Sequence, residues 1–422
     1  MGTYKSQKTP CAMIEKNCKM GYHHNAIMWA KICVYVFARM KKGRYPMKKL
    51  TYGMVGGGPG SFIGDAHRKS INIDGMATLV AGCFSRTPEK CRQTGAELGI
   101  DPDRCYASFE EMAKAEAARP DGIDFVVVVT PNVSHYPVCK AFLEAGINVS
   151  CDKPLCLTVE EGEALVKLAK EKNLLFLVTY TYMGHVTAKH IRKFIADGKL
   201  GKIRTVQAEY PQGWLAYEGE WGGKQGEWRC DPKQSGGVNC LGDLGTHVEN
   251  AVSRMTGLKI KRVLARMDKL VPGRVLDDND MVLVEYEGGA VGTYWTSQVA
   301  IGHDNDLRVR IYGENGSILW KQEECEKVIM ISRDGTIVER HRGNGGIEDC
   351  AAAYGRLPSG HTEGWLESMG NLYKSFITCV AAKKEGKPYE IDYPTVEDGL
   401  EGVKFVHACL KSNEQGSVWV DL

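Results

Sequence analysis

The run Asp124–Thr130 constrains the fold of this chain more than any other stretch, because it reads DFVVVVT and holds four consecutive valines. β-Branched residues favour strands, and a strand that is apolar on both faces is buried on both faces. Two further apolar runs precede it, Leu50–Val55 and Ala77–Phe84, and a helix-like stretch follows each of them. Continuous apolar strands that alternate with helices predict a doubly wound parallel sheet, an α/β Rossmann fold.

The same alternation continues to about residue 180, so we predict that the first domain spans 47–180. The last helix of this domain begins with a capping box, because Glu161 follows Thr158 by three residues. The remaining predicted elements are the helices Pro88–Leu98, Tyr136–Ala145 and Thr158–Lys172 and the strands Asn148–Cys151 and Leu174–Thr179.

Beyond residue 180 the apolar residues alternate with polar ones instead of running together. This period of two is typical of antiparallel strands with one covered face. We therefore predict an α+β domain over 181–422 with a large, mainly antiparallel open sheet, whose terminal helices are able to pack back on the first domain. The predicted elements are the helices Val186–Ala196, Trp365–Ala382 and Val396–Leu410 and the strands Ile203–Tyr210, Ile260–Met267, Asp280–Tyr286, Ala290–Val299, Leu307–Gly313 and Lys327–Ser332.

Residues 1–46 differ from the rest in charge. They hold nine lysines and arginines against one acidic residue, Glu15, whereas the whole chain has a net charge of +2. Their apolar stretch, Ala26–Ala38, contains Lys31 and is too short to span a bilayer. We interpret 1–46 as a non-native or disordered basic extension, with Met47 as the natural start. The alternative is a basic tether to a membrane surface or a nucleic acid, and loss of activity on deleting 1–46 would favour it.

The rest of the composition is that of an ordinary globular protein, with 43% hydrophobic and 25% charged residues. A net charge near zero gives no sign of a nucleic-acid partner, and no apolar segment predicts a membrane span. The 15 cysteines are scattered and form no C-x-x-C pair. We therefore expect reduced thiols in a cytoplasmic protein, with neither a disulfide framework nor a metal site.

A glycine-rich turn, Gly56–Gly64, joins the first strand to the first helix. Such a turn lets a dinucleotide approach the backbone, and the helix N-terminus favours its pyrophosphate. Gly56 and Gly58 match the first two glycines of G-x-G-x-x-G, and Ser61 occupies the third position. Gly64 is able to take the packing role of that third glycine if the loop is three residues longer. A purely structural turn is the alternative, but the position after the first buried strand favours a cofactor.

Two more strand ends carry polar residues that suit a dinucleotide. The second strand ends at Ser85-Arg86 without the acidic residue that binds an NAD ribose, so either NADP or NAD is compatible with it. The third strand is followed by Thr130-Pro131-Asn132-x-x-His135, which we expect to line the nicotinamide ribose. Local capping is the alternative explanation for the asparagine and the histidine.

The fourth strand ends in Asp152-Lys153-Pro154. Proline restricts the residue before it to extended geometry, which would hold Lys153 at the sheet edge where open α/β sheets bind ligands. Further along, Asp243-Leu244-Gly245-Thr246-His247 begins a helical stretch and places a carboxylate and an imidazole four residues apart, on one helical face. A carboxylate beside an imidazole orients it and raises its basicity. Each motif alone is explained as well by a surface lysine or by a capping pair.

Together, in this order, these motifs resemble those of the Gfo/Idh/MocA oxidoreductases, the glucose–fructose oxidoreductase and inositol dehydrogenase family. The resemblance runs from Met47 to the end of the chain. That family usually has Glu-Lys-Pro at the strand end, so Asp152 keeps the charge but shortens the reach. The resemblance implies the cofactor-binding residues Gly56, Gly58, Gly60, Ser61, Phe62, Ile63, Ser85, Arg86, Thr130, Pro131, Asn132, His135, Asp152 and Lys153.

The resemblance also implies a mechanism. His247 is the general base that takes the carbinol proton, Lys153 hydrogen-bonds the same oxygen, and Asp243 orients or tunes His247. The hydride passes to NAD or NADP, with NAD slightly favoured on family grounds. The implied substrate is a sugar, glycoside or inositol-like cyclic polyol that reacts at a secondary ring hydroxyl, and the implied assembly is a homodimer or homotetramer.

Candidate substrate contacts lie between two strands of the second sheet, where Tyr210–Trp214 is followed by Trp221, Trp228 and Arg229. Tryptophans beside polar groups suit sugar rings, although packing of a long loop or of a subunit contact explains them equally well. The predicted substrate-binding residues are Lys153, Tyr182, Trp214, Trp228, Arg229, Asp243 and His247.

Two other functions are compatible with the fold. Some members of this superfamily are NAD-dependent glycosidases, which oxidise, eliminate and re-reduce within one site. Others sense a nucleotide or sugar without turnover, but the presence of Lys153, Asp243 and His247 together argues against a sensor.

Overall fold

The computed structural model describes residues 49–217, 226–227 and 229–422. The predicted extension 1–46, Trp221 and Trp228 lie outside the described residues. The chain from Lys49 to Leu422 forms one compact unit that is built on two sheets. The predicted fold class is confirmed, because one sheet is parallel and the other is mainly antiparallel.

The first sheet has five parallel strands in the order β2-β1-β3-β4-β5. All five residues of the valine-rich strand β3 are buried, as its composition requires. The predicted capping box forms, since the Thr158 hydroxyl accepts the N–H of Glu161, whose carboxylate accepts the N–H of Thr158. The elements are β1 (Leu50–Gly56), α1 (Phe62–Asn72), β2 (Ala77–Cys83), α2 (Pro88–Glu97), α3 (Phe109–Ala118), β3 (Phe125–Val129), α4 (His135–Glu144), β4 (Asn148–Cys151), α5 (Val159–Glu171) and β5 (Phe176–Val178).

The second sheet has nine strands in the order β13-β12-β11-β10-β6-β9-β8-β7-β14. Its neighbours pair antiparallel except β6 and β9, which run parallel. The elements are α6 (Val186–Ala196), β6 (Ile203–Pro211), α7 (Pro232–Ser235), α8 (Thr246–Thr256), β7 (Ile260–Asp268), β8 (Asn279–Tyr286), β9 (Val291–Ser297), β10 (Arg308–Gly313), β11 (Gly316–Lys321), β12 (Lys327–Ser332), β13 (Ile337–His341), α9 (Asp349–Ala352), α10 (Trp365–Lys384), α11 (Val396–Glu414) and β14 (Val420–Asp421).

The two long helices at the end of the chain bury side chains against both sheets. Leu372 and Phe376 of α10 join the core on one face of the parallel sheet. Leu400 of α11 joins the core on its other face, whereas Phe405 of the same helix packs into the core of the second sheet. These helices therefore connect the two sheets and fix the walls of the space between them.

Several elements were not predicted by the apolar patterns: the helix α3, the four-residue helices α7 and α9, and the strands β11, β13 and β14. In α3 the buried face includes a charged residue, Glu116, which accepts hydrogen bonds from Arg104 and from the Tyr106 hydroxyl. An apolar pattern does not detect a helix whose buried side includes an ion pair. No helix in the described part of the chain is both long and apolar enough to cross a membrane.

Candidate active site

A cleft of about 1440 Å³ lies between the carboxyl edge of the parallel sheet and the second sheet. The loops that follow all five parallel strands line one side of it. The opposite side comes from the end of β6, from 235–247 and from the two long C-terminal helices. Pockets for one drug-sized ligand are about 300–1,000 Å³, so this cleft has room for a cofactor and a substrate together.

The glycine loop packs closely enough to bring a ligand against the backbone. A Cβ on Gly64 would lie 2.4 Å from Cα of Gly57, and a Cβ on Gly58 would lie 2.7 Å from the Phe84 carbonyl oxygen. Gly64 therefore packs as the third glycine of the motif would, although it lies three residues after the expected position, Ser61. Ser61, which stands where that glycine was expected, caps α1, because its hydroxyl accepts the Gly64 N–H at 3.2 Å.

Most of the predicted cofactor-binding residues line the cleft, whereas Gly56 and Arg86 do not. Gly56 is needed for packing, since a Cβ there would lie 2.6 Å from the Val129 carbonyl oxygen. Arg86 is exposed. The predicted residues that line the cleft are Gly58, Gly60, Ser61, Phe62, Ile63, Ser85, Thr130, Pro131, Asn132, His135, Asp152 and Lys153.

His135 joins two loops of the cleft. Its Nδ1 lies 2.7 Å from the Pro154 carbonyl oxygen, and its Nε2 lies 2.9 Å from the Thr130 carbonyl oxygen. Burial lowers the pKa of this imidazole, although hydrogen bonding opposes the effect. Because both ring nitrogens face backbone, His135 positions the loops that follow β3 and β4, and its nitrogens are not available to a ligand.

Lys153 and Asp243 join the two sheets at the centre of the cleft. Lys153 Nζ donates to Asp243 Oδ1 at 2.6 Å and to the Asp243 carbonyl oxygen at 2.9 Å. An ammonium has three N–H bonds, so one stays without a partner among the described residues. The Asp152 carboxylate helps to hold the backbone of Lys153 in place, because its Oδ1 accepts the Lys153 backbone N–H and the Thr179 hydroxyl, both at 2.9 Å.

Asp243 is an anion with three side-chain donors around it. Arg229 Nε and Gln298 Nε2 each donate to Oδ2 at 3.1 Å, opposite the contact of Oδ1 with Lys153. Burial alone would raise the pKa of Asp243, but the positive charges of Arg229 and Lys153 hold it well below its usual range. None of these carboxylate bonds in the described part of the chain goes to His247, so Asp243 affects the imidazole through its charge.

A π-helical turn, Leu241–Gly245, carries Asp243 just before α8. The buried Asp277 carboxylate holds this turn, because it accepts the N–H groups of Asn239 and Leu241, both at 2.7 Å. The Asn239 side chain donates to Gln298 at 2.7 Å, and Gln298 in turn donates to Asp243. The position of the Asp243 carboxylate therefore depends on contacts with the loop before β8 and the end of β9.

His247 is buried in α8 among three tyrosine rings. Its ring centroid lies 4.8 Å from that of Tyr182, 5.7 Å from that of Tyr180 and 6.0 Å from that of Tyr210. Burial and the charge of Lys153 lower the pKa of His247 well below its usual range, against the opposing charge of Asp243. The imidazole is therefore neutral near pH 7, which is the form that accepts a proton.

A polar wall adjoins His247; we use this name for Tyr182, Tyr210, Gln212 and Asn305. All four residues line the cleft and hydrogen-bond one another through their side chains. Trp214 extends the wall by donating its indole N–H to Gln212 Oε1 at 2.7 Å. The Arg229 guanidinium lies 5.7 Å from the Trp214 ring and links the wall to Asp243.

The structure brings together all the predicted substrate residues that it describes; Trp228 lies outside the described residues. Tyr182, Trp214 and Arg229 line the cleft beside Lys153, Asp243 and His247. Among the residues of the site that were not predicted are Gln298, Asn305, Trp365 and His407. Trp365 stacks on Phe62 with ring centroids 5.9 Å apart, and His407 Nε2 lies 2.9 Å from the Leu157 carbonyl oxygen. They come from distant loops and helices, and no motif in the sequence marks them.

Two family models match this chain. "Oxidoreductase family, NAD-binding Rossmann fold" matches residues 50–180, and "GFO/IDH/MocA C-terminal domain" matches residues 188–319. Among its relatives, an uncharacterised oxidoreductase, YfiI of Bacillus subtilis, is 38% identical over 89% of this chain and 97% of its own. The levoglucosan dehydrogenase of Pseudarthrobacter phenanthrenivorans is 27% identical over 67% of this chain and 76% of its own.

Among solved structures, the similar ones include an inositol dehydrogenase homolog from Azotobacter vinelandii. Its complex with NAD+ superimposes with a TM-score of 0.86 and 37% identity, and covers 90% of this chain and 99% of that one. Its complex with NADH and myo-inositol gives a TM-score of 0.82 and 36% identity, over 89% of this chain and 98% of that one.

Proposed function

Because the chain belongs to the GFO/IDH/MocA family of NAD(P)-dependent oxidoreductases, we propose that it oxidises a secondary ring hydroxyl of a sugar, glycoside or inositol-like cyclic polyol, or reduces the corresponding ketone. One observation carries this proposal: Lys153 Nζ lies 2.6 Å from Asp243 Oδ1, in a cleft that His247 also lines. A charged donor, a carboxylate and a neutral base thus meet where the two sheets face each other.

The residues at the nucleotide end of the cleft fit a dinucleotide. Side chains are excluded at Gly58 and Gly64, where a Cβ would lie within 2.7 Å of backbone, and the N-terminus of α1 opens beside them. These features favour a bound pyrophosphate, and Ser85 lines the part of the cleft that would take the adenosine ribose. When bound, NAD or NADP supplies the hydride acceptor of the oxidation.

The residues of the chain itself supply the proton transfer. His247, neutral and among tyrosine rings, takes the proton of the substrate hydroxyl. Lys153 donates its remaining N–H to the same oxygen and stabilises the negative charge that develops there. Asp243 keeps the ammonium in place through two hydrogen bonds, one to its carboxylate and one to its carbonyl oxygen. In the reverse direction the same groups protonate a ketone.

The charges at the reaction end of the cleft favour an uncharged substrate. Two cations, Lys153 and Arg229, face two anions, Asp152 and Asp243, among the described residues that line it. Both cations already contact the Asp243 carboxylate. A substrate carboxylate or phosphate would therefore compete with Asp243, whereas the hydroxyls of a neutral sugar or polyol would not.

A panel of cyclic polyols, aldoses and glycosides, read at 340 nm with NAD+ and with NADP+, tests the proposal. Turnover of at least one cyclic polyol or sugar is expected. Cleavage of a glycoside without net formation of NADH would favour the glycosidase reaction instead. Silence across the panel with both cofactors would contradict the proposal and favour a sensor.

We also propose that the second sheet associates with another copy of the chain. Its outer face exposes Met281, Leu283 and Val291, which lie on the neighbouring strands β8 and β9. Contiguous exposed apolar residues on a sheet are typical of an interface. Light scattering after size exclusion is expected to give a dimer or tetramer, and a monomer would contradict this proposal. The predicted cytoplasmic location stays a prediction.

A further inference from the structure

The polar wall contains a closed ring of three hydrogen bonds. Asn305 Nδ2 donates to the Tyr182 hydroxyl at 3.0 Å, and Tyr210 donates its hydroxyl proton to Asn305 Oδ1 at 2.5 Å. The two phenol oxygens lie 2.5 Å apart. Each phenol has one proton, and Tyr210 has given its own to an amide oxygen that accepts only. We therefore assign the Tyr182 proton to Tyr210, whose oxygen is 2.5 Å away, rather than to Asn305 Oδ1, which is 3.4 Å away.

Gln212 completes the set of donors and acceptors. Its Nε2 donates to Asn305 Oδ1 at 2.8 Å, while its Oε1 accepts the Trp214 indole N–H at 2.7 Å. Tyr210 accepts the proton of Tyr182 and donates its own to Asn305. Tyr182 in turn accepts an N–H of Asn305. Both phenol protons are therefore used within the protein.

Two groups of the wall keep hydrogen-bonding capacity. Asn305 Nδ2 has a second N–H, and Gln212 Oε1 has a second lone pair, and neither has a partner among the described residues. One donor and one acceptor are together the complement of a hydroxyl group, which accepts one bond and donates another. Both residues line the same cleft as Lys153, which is already assigned to the reacting oxygen.

We propose that Asn305 and Gln212 are specificity-determining residues, which together bind a second hydroxyl of the substrate, away from the carbon that reacts. This inference rests on the proposed function and narrows its substrate class to rings that carry a free hydroxyl at a fixed distance from the reacting one. Simple secondary alcohols and the one deoxy analogue that lacks this hydroxyl are poor substrates. A site that leaves buried polar groups unpaired rejects such analogues strongly. Since Asn305 is only half-buried, water partly replaces the lost hydroxyl, and roughly a 10- to 100-fold loss of kcat/KM is expected.

The test compares kcat/KM for the best substrate of the panel with kcat/KM for each of its monodeoxy analogues, and for cyclohexanol. Wild-type protein is expected to discriminate against one analogue by roughly 10- to 100-fold. Asn305→Ala is expected to abolish this discrimination and to leave the ratios for the other analogues unchanged. Asn305→Asp keeps the oxygen that Tyr210 and Gln212 bond but loses the donor, so it is expected to behave similarly even if the alanine variant unfolds. Asn315→Ala, at an exposed turn of the same domain, is the matched control.

Two results would overturn the inference while the proposed function stands. In one, both Asn305 variants lower kcat/KM for the substrate and all its analogues by one common factor, as a purely structural role requires. In the other, wild-type protein oxidises cyclohexanol as efficiently as the best ring substrate. No turnover of any panel member by wild-type protein would instead overturn the proposed function, and this inference with it.

Discussion

Replacing Asp243 by asparagine tests how the site is built, because the substitution removes one charge and almost no volume. Lys153 and Arg229 would keep their positive charges without the carboxylate that lies 2.6 Å and 3.1 Å from them. The variant also loses the negative charge that raises the pKa of His247, so the base becomes weaker. We expect a fall in kcat/KM for oxidation with little change in cofactor binding.

The geometry of the Lys153–Asp243 pair sets the size of this effect. Two unit charges 2.6 Å apart attract by about 6 kcal/mol at an effective dielectric constant near 20, before the cost of burial is subtracted. Removing one partner of a buried pair costs about 3–5 kcal/mol. The two side chains are 15% and 14% exposed, so solvent screens part of their attraction. The amide oxygen of the substituted side chain would also still accept one hydrogen bond. We therefore expect Asp243→Asn to cost about 2–3 kcal/mol of transition-state stabilisation. That loss corresponds to roughly 30- to 150-fold in kcat/KM.

Asp280→Asn is the matched control for this experiment. Burial, together with the charge of Asp277, raises the pKa of Asp280 well above its usual range, which favours the uncharged acid. Asparagine has the same shape and charge as a neutral acid, and Thr296 can still donate to its oxygen. We expect kcat/KM within about twofold of wild type. Steady-state rates at 340 nm that are equal for the Asp243 and Asp280 variants would refute the electrostatic reasoning.

Three further predictions concern other parts of the molecule. Gly64→Ala places a Cβ 2.4 Å from Cα of Gly57 and is expected to cost about 1–3 kcal/mol of folding stability. It is also expected to weaken NAD(P)H binding, which a fluorescence titration measures. Gly345→Ala is the control, because a Cβ there meets nothing within 4 Å. Burial raises the pKa of Glu249 to about 8, so the folded state holds a proton that the unfolded state has lost, and stability falls as the pH rises from about 4.5 to 8. Glu249→Gln, which mimics the protonated acid, is expected to raise Tm, by an amount that grows over this pH window; a constant difference would contradict the assignment. Because the pKa of His247 is lowered, kcat/KM for oxidation is expected to stay constant as the pH falls from about 8 to about 6.5. A decrease of kcat/KM within this pH range would argue against a neutral imidazole.

The strands of the parallel sheet and the capping box of α5 were predictable because local chemistry determines them. Four valines in a row require burial on both faces, and Thr158 with Glu161 requires a helix start. The parallel pairing of β6 with β9 was not predictable, because strands far apart in the chain choose neighbours through packing on helices. The helix α3 was not predicted from the apolar pattern, because its buried face includes Glu116, which pairs with Arg104.

The candidate site shows the same division between local and distant contacts. The spacing of Asp243 and His247 predicted a carboxylate beside the imidazole on one helical face. In the structure both residues line the cleft, but the Asp243 carboxylate bonds Lys153, 90 residues earlier in the chain. Asn305 and Trp365 could not be predicted, because a loop and a helix start reach the cleft only through the packing of the second sheet and of α10. Motifs therefore identified the proposed reacting groups, and tertiary structure supplied the residues around them.

The most direct test of the account is the rate of NAD(P)H formation at 340 nm for wild-type protein and for Lys153→Met. The control is Lys167→Met, which replaces an exposed lysine of α5. The account predicts turnover of a cyclic polyol or sugar by wild type and control, a loss of at least roughly 100-fold in the Lys153 variant, and the same cofactor affinity in all three. A Lys153 variant that turns over within a few-fold of wild type would contradict the claim that Lys153 touches the reacting oxygen.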